Sequence, residues 1–292
     1  ITLVEEPLNP WKATSTGVGE VILDAVQKGC RKFIIGIGGS ATTEGGIGML
    51  SALGYDFMDE NGDRLPPVFD SLEKVVQIKN NRVPEVLKDC HFQIACDVTN
   101  PLCGAQGCVY VFGAQKGVKE EEKESMDRAM QSYAACLEKS TGKKLSDIPG
   151  TGAAGGLGFA FLWGLPNVEL KPGIDIVLEA VGLTNELKDA DVVVTGEGCL
   201  DFQTAMGKVP VGVAKATKNY NCKVIAFAGS VTEEAKNCNE KGIDAFFSIL
   251  PGVCSLDEAM DTETAQKNMR NAAEQVFRLI LACGKEKSFL HP

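Results

Sequence analysis

A chain of 292 residues, 44% hydrophobic and 23% charged, is long enough to bury a sizeable core and suggests two domains. Its net charge of −10 argues against nucleic acid or an anionic membrane surface as the main partner, because both select clustered Lys and Arg. An anionic ligand would therefore have to be met locally, by helix N-termini, a few lysines or a metal. The first residues, "ITLVEEPLNPW", carry acids where a signal peptide has a basic n-region. A helical pattern follows at Thr16–Lys28, then apolar strand-like runs at Lys32–Ile37, His91–Cys96 and Val109–Phe112. Glu120–Lys139 reads as a long amphipathic helix with a charged face. "FAFLWGLP" is apolar but far too short to cross a bilayer. Beyond it come strands at Asp191–Thr195, Lys223–Ala228 and Asp244–Leu250, with a short helix at Pro210–Lys218. A long helix at Ser255–Ala282 opens on a capping box of Ser255 with Glu258. This alternation predicts an α/β fold with largely parallel sheets, divided near Leu183–Asp189 into 1–186 and 187–292.

Eleven cysteines are present, but no C-x-x-C pair occurs and His91 and His291 lie far apart. A zinc site needs tighter ligand pairs, and the odd number in a long chain reads as free thiols in a reducing cytosol. The glycines are more informative. Four segments share one design, in which an apolar strand runs into glycine with small hydroxyls or acids: "GIGGSATTEGG", "CDVTNPLCG", "TGEGCLDFQTAMGK" and "FAGSVTEE". Glycine at this density costs conformational entropy, and its usual return is that backbone N–H groups can come close to an anion. In open α/β sheets such turns converge outside the carboxyl ends of the strands, where ligands bind.

Each motif has a duller reading beside the functional one. Gly36–Ala41 matches G-x-G-x-x-A, but "TTEGGIG" would make a poor packing helix, which weighs against a dinucleotide site. Gly207–Pro210 resembles the end of a P-loop, yet Val209 stands where Ser or Thr is needed, and Phe202 where the first glycine should be. Asp97 is equally a turn or cap residue and a metal ligand or general base. Glu197 and Asp201, flanking Gly198, favour a metal or hydroxyl site. Lys116 and Lys208 are either solvated or point charges for a phosphate or carboxylate.

The segments "IGIGGSATTEGGIGMLSALG", "ACDVTNPLCGAQG", "VFGAQKG", "PGTGAAGGLG" and "VVVTGEGCLDFQTAMGKVPVGVA", with "FSILPGVCSLDEAM", closely resemble the glycerate kinase type 1 family, in order and to about Leu281. The resemblance implies ATP-dependent phosphorylation of D-glycerate with Mg2+, giving 2-phosphoglycerate in the best-known members, with 3-phosphoglycerate left open. It implies two unlike α/β domains: one Rossmann- or flavodoxin-like with a mainly parallel sheet, the other inserted into it, and an active site in the cleft between. On that basis 1–186 is the inserted domain and 187–292 the C-terminal part of the Rossmann-like one. Asp97, Glu197 and Asp201 are the expected catalytic acids, with Glu197 and Asp201 also holding Mg2+. Phosphate or substrate binding is expected from Gly38, Gly39, Ser40, Thr42, Thr43, Asn100, Lys116, Gly155, Gly156, Thr195, Gly196, Gln203 and Lys208. The partners expected are D-glycerate and ATP in the cytoplasm, with a homodimer allowed for, and neither nucleic acid nor membrane.

The departures inside the motifs are small: Glu44 stands where many members have Asp, and Thr99 often has an acid counterpart. Family chains begin upstream with a strand and a loop reading like "APDSFKG", so the chain is expected to be a piece of a longer polypeptide. Two rivals remain at this stage: a nicotinamide-dependent oxidoreductase built on Gly36–Ala41, and a truncated relic that binds glycerate or nucleotide without turnover.

Overall fold

Two three-stranded parallel sheets organise the chain, each in its own compact unit, in a computed structural model that describes residues 1–4, 6–220 and 222–285. The first unit, Ile1–Ile176, runs α1 (Thr16–Gln27), β1 (Lys32–Gly36), α2 (Ile47–Ala52), β2 (Asp56–Met58), β3 (Gln77–Lys79) and β4 (His91–Ala95). It continues with α3 (Cys108–Phe112), α4 (Lys123–Thr141), α5 (Leu157–Gly164), β5 (Val168–Lys171) and the start of α6 (Gly173–Ala180). The unit division falls within α6, whereas the sequence reading set it after residue 186. Strand β1 pairs with β4 and β4 with β5, all parallel, so that Gly36 lies opposite Ala95 and Ala95 opposite Lys171. Three successive loops thus leave the same edge of one sheet. The short pair β2–β3 is antiparallel.

The core of this unit is built from Phe92 and Ile94 of β4, Met49 and Leu50 of α2, Tyr133 of α4, and Phe159 and Phe161 of α5. Helix α5 is the "FAFLWG" run, buried on all sides rather than amphipathic, as expected of a helix in a core's centre.

The second unit, from Val177 on, contains α7 (Leu183–Glu186), β6 (Val192–Leu200), α8 (Phe202–Ala205), α9 (Val209–Thr217), β7 (Lys223–Val231), β8 (Ala245–Ser248), α10 (Leu256–Met260) and α11 (Thr262–Lys285). Its strands run in the order β6-β7-β8, all parallel. Strand β7 is buried on both faces: Val224, Ala226 and Ala228 join one apolar cluster, Ile225 and Phe227 another with Val276 of α11. A continuous apolar run is what such a strand requires.

Three sequence expectations are corrected. Val109–Phe112, read as a strand, is helix α3, starting after Gly107 and closed by Gly113 N–H bonding Val109 C=O. The glycines of "TGEGCL" and "AGSV" do not end their strands. Pairing continues through Glu197 with Ala228 and Leu200 with Val231. A Cβ on Gly196 would lie 2.3 Å from the Phe227 carbonyl oxygen, and one on Gly229 2.8 Å from the Gly198 oxygen, so these two glycines let the strands approach. The helix expected over Ser255–Ala282 is two helices. Asp261 leaves the helical conformation and accepts from the Thr264 N–H at 2.9 Å, capping α11. The Ser255–Glu258 capping box is present as read. All eleven cysteines are free, and among the described residues no helix is long and apolar enough to cross a membrane.

Candidate functional site

Because β1 and β4 are neighbours ending in register, the loops after them, Gly38–Thr43 and Asp97–Asn100, leave the sheet side by side. Gly38, Gly39, Ser40, Asp97 and Lys116 line one cavity of about 280 Å³, walled by Phe112 and Ala154. Gly39 takes φ +68°, with nothing within 4 Å of where a Cβ would stand. Glycine is needed there for backbone conformation and not for packing on protein. Among the described residues the N–H groups of Gly38, Gly39 and Ser40 have no protein acceptor.

Lys116 enters from the turn after α3 and is only 2% exposed. Its Nζ donates to Ser40 Oγ at 2.9 Å and to the Thr42 carbonyl at 2.7 Å. Both partners are neutral, and among the described residues the third N–H has none. Burial pulls its pKa down to about 8, opposed by attraction to Cys108 and Glu44. Cys108 supplies no counter-ion, because burial pushes its thiol up to about 12. An ammonium so buried, with no carboxylate bound to it, is a cation awaiting an anion.

Glu44 braces this loop from behind. Fully buried, it accepts from Ser15 N–H at 2.6 Å, Gly46 N–H at 2.7 Å and Gly48 N–H at 3.4 Å. Burial raises its pKa, and those donors oppose the rise. The lone acid in "TTEGG" is the signal for this role in the sequence, where Glu44 stands out only as a departure from the family pattern. Among the described residues, Thr42 Oγ1, Thr43 Oγ1 and Tyr133 OH are buried without a hydrogen-bond partner in the same region.

Asp97 is exposed, and its Oδ1 accepts from Gly173 N–H at 2.8 Å, so it fixes the start of α6 and also lines the cavity. Asn100 ties its loop together: Nδ2 donates to Gln106 C=O at 2.8 Å, and its carbonyl receives the Gly150 and Gly152 N–H groups. Gly156, expected to offer its amide to phosphate, donates instead to Ala153, and Gly152 donates to Asn100. Gly155 gives its carbonyl to Gly45 N–H at 2.9 Å, and a Cβ on it would stand 2.1 Å from the Thr42 oxygen. This second glycine loop therefore packs against the first.

The acids of the second unit form a separate cluster. Glu197 lies on β6 and accepts from Thr204 Oγ1. Asp201 caps α8: its Oδ1 accepts from Thr204 N–H at 3.0 Å and lies 3.3 Å from Thr204 Oγ1. The Thr204 N–H, followed by the pull of Lys208, holds the Asp201 carboxyl below its usual range. Lys208 Nζ is 3.8 Å from Asp201 Oδ1, on a side chain that is partly exposed. Gln203 is exposed on α8, while Thr195 and Gly196 lie in β6 opposite Ala226 and Phe227. Among the described residues no group of three or more His, Cys, Asp or Glu converges on a metal-sized space. Two carboxylates nonetheless suffice for Mg2+, which keeps several waters and takes substrate phosphates as ligands. The G-x-G-x-x-A match opens no helix, since the next one begins at Ile47.

The model of the glycerate kinase family matches residues 1–281. The chain is 42% identical over 270 residues to glycerate kinase of Bacillus subtilis (strain 168), covering 92% of this chain and 70% of the relative. It is 44% identical over 254 residues to glycerate 2-kinase of Escherichia coli (strain K12), covering 87% and 66%. A crystal structure assigned as glycerate kinase 2 of Salmonella typhimurium LT2 superposes with a TM-score of 0.83 at 40% identity, covering 98% of this chain and 74% of that one.

Proposed function

The chain belongs to the glycerate kinase family, a family of phosphotransferases, and from that premise we propose that it transfers the terminal phosphoryl group of ATP to D-glycerate with Mg2+, giving 2-phosphoglycerate. The relative named glycerate 2-kinase supports the 2-hydroxyl as acceptor. The observation that carries this reading is the Lys116 ammonium, buried with no carboxylate hydrogen-bonded to it among the described residues, beside unpaired amides at the carboxyl end of a parallel strand. An acidic protein gains nothing from such an arrangement unless a small anion completes it.

Phosphoryl transfer asks a protein mainly for alignment and charge neutralisation. Asp97, Glu197 and Asp201 divide between accepting the proton of the attacking hydroxyl and holding the metal. Glu197 and Asp201, which already converge on Thr204 Oγ1, fit the second task better. Mg2+ bound there would neutralise charge on the phosphoryl oxygens. Lys208, exposed beside Asp201, can turn its ammonium to the same oxygens.

The test is a coupled ADP-release assay with D-glycerate, ATP and Mg2+, with the product's phosphorylated carbon identified by NMR. ADP release that requires D-glycerate and phosphorus on C2 is the expected result. Phosphorus on C3 would overturn the regiochemistry. Glycerate binding with no turnover would make the chain a binding module instead.

A further inference from the structure

The buried ammonium of Lys116 and the carboxylate of Asp97 face the same small cavity, and that juxtaposition discriminates between the two substrates of a glycerate kinase. We infer that this cavity takes the acceptor acid and not the nucleotide: Lys116 and the Gly38–Ser40 backbone hold its carboxylate, and Asp97 Oδ2 accepts a hydrogen bond from one of its hydroxyls. The inference rests on the kinase reading and deepens it by assigning a subsite.

Charge is the first argument. A polyphosphate entering this space would bring several negative charges against the Asp97 carboxylate. A hydroxy acid brings one anion and at least one O–H donor, so it suits a cavity with a cation and amides at one end and an acceptor at the other.

Asp97 is also prepared for the task. Its Oδ1 is held by the Gly173 N–H at 2.8 Å, which fixes the plane of the carboxylate. Among the described residues Oδ2 receives no donor, so one oxygen orients the group and the other stays available. Size gives the third argument. A cavity of about 280 Å³ lies just under the range of roughly 300–1,000 Å³ that encloses drug-sized ligands. That is ample for a three-carbon acid.

The experiment is calorimetric titration of the chain with D-glycerate alone, with glycerol as the same carbon skeleton without a carboxylate, and with ADP and Mg2+. D-glycerate should bind without nucleotide, and glycerol should not. Lys116→Met should weaken glycerate binding roughly ten- to a hundredfold, the worth of a hydrogen bond to a charged group, while leaving ADP within about twofold. Asp97→Asn, whose amide oxygen can still receive the Gly173 N–H, should weaken glycerate less, again with ADP unchanged. Retained ADP binding doubles as the check that each variant folds. If Lys116→Met does not fold, Asp97→Asn decides alone. A larger loss for ADP than for glycerate in either variant, or unchanged glycerate binding in both, overturns the assignment. Normal glycerate binding without phosphoryl transfer would instead sink the kinase reading and leave this subsite standing.

Discussion

A lysine placed in an apolar environment resists protonation, and Lys116 does so in proportion to its burial, with its pKa drawn to about 8. An anion bound beside it would raise that value again. Linkage then fixes the sign: below pH 8 the free protein already carries the charge, and above it each binding event must also take up a proton. Glycerate affinity is thus expected to be flat from pH 6 to 7.5 and to fall roughly tenfold per pH unit above 8, until the pKa of the bound form is reached. The Cys108 thiol stays protonated to about 12, and Glu44, though raised by burial, is a carboxylic acid whose N–H donors favour its ionised form. Asp97 faces the same cavity. Calorimetry across pH 6 to 9.5 measures the profile, and a flat one would remove Lys116 from anion recognition.

Two glycine loops meet at this site, and they answer to different constraints. The loop after β1 turns its glycines to the cavity, whereas the 150–156 loop reaches the cavity with Ala153 and Ala154 and packs Gly155 against the first loop. Gly155, at φ +67°, would drive a Cβ to 2.1 Å from the Thr42 carbonyl, which is the acceptor for Lys116. Gly155→Ala is therefore expected to cost roughly 2–4 kcal/mol of stability, from a left-handed conformation plus overpacking. Gly39→Ala, at φ +68° but in open space, should cost only about 1–2 kcal/mol, with its larger effect on glycerate affinity. Thermal melts and titrations of the two variants separate these outcomes, and equal loss of stability would mean that both loops serve packing. The same contrast explains what the sequence could convey. The strands β1 and β4, helix α4 and the Ser255 cap were readable because each rests on local periodicity or a local cap. So was the idea that glycine-rich turns gather at strand ends. Which glycines face a ligand was not readable, because Gly39 and Gly155 differ only in what a distant segment puts beside them. The run "VYVF" misled for a related reason: four apolar residues carry no period, and the surrounding loop decided for helix. The strand through Gly196 and Gly198 is long because β7 lies close enough to pair with it, which no local signal in "TGEGCL" reports. Glu44 and Lys116 likewise gain their meaning from being buried near one another, 72 residues apart in sequence.

At the scale of the whole molecule, the net charge of −10 opposes both proposed substrates, since glycerate and nucleotide are themselves anions. The favourable contacts are few and near the cavity, whereas the repulsive field is summed over the surface and acts at longer range. Salt distinguishes the two. The Debye length shrinks from about 30 Å at 0.01 M to about 8 Å at 0.15 M, which removes most of the long-range repulsion. The contact with Lys116 is buried and direct, so it is screened much less. Raising ionic strength over that interval with an inert salt, at fixed saturating Mg2+ and ATP, is therefore expected to increase kcat/KM for D-glycerate by a few-fold. Enzymes whose surface steers substrate inwards show the opposite trend, losing association rate as salt rises. A steady fall of kcat/KM across the same interval would mean that a local positive potential reaches well beyond the cavity mouth. The surface charge would then be distributed to guide anions inwards, and the few basic groups at the site would not be acting alone.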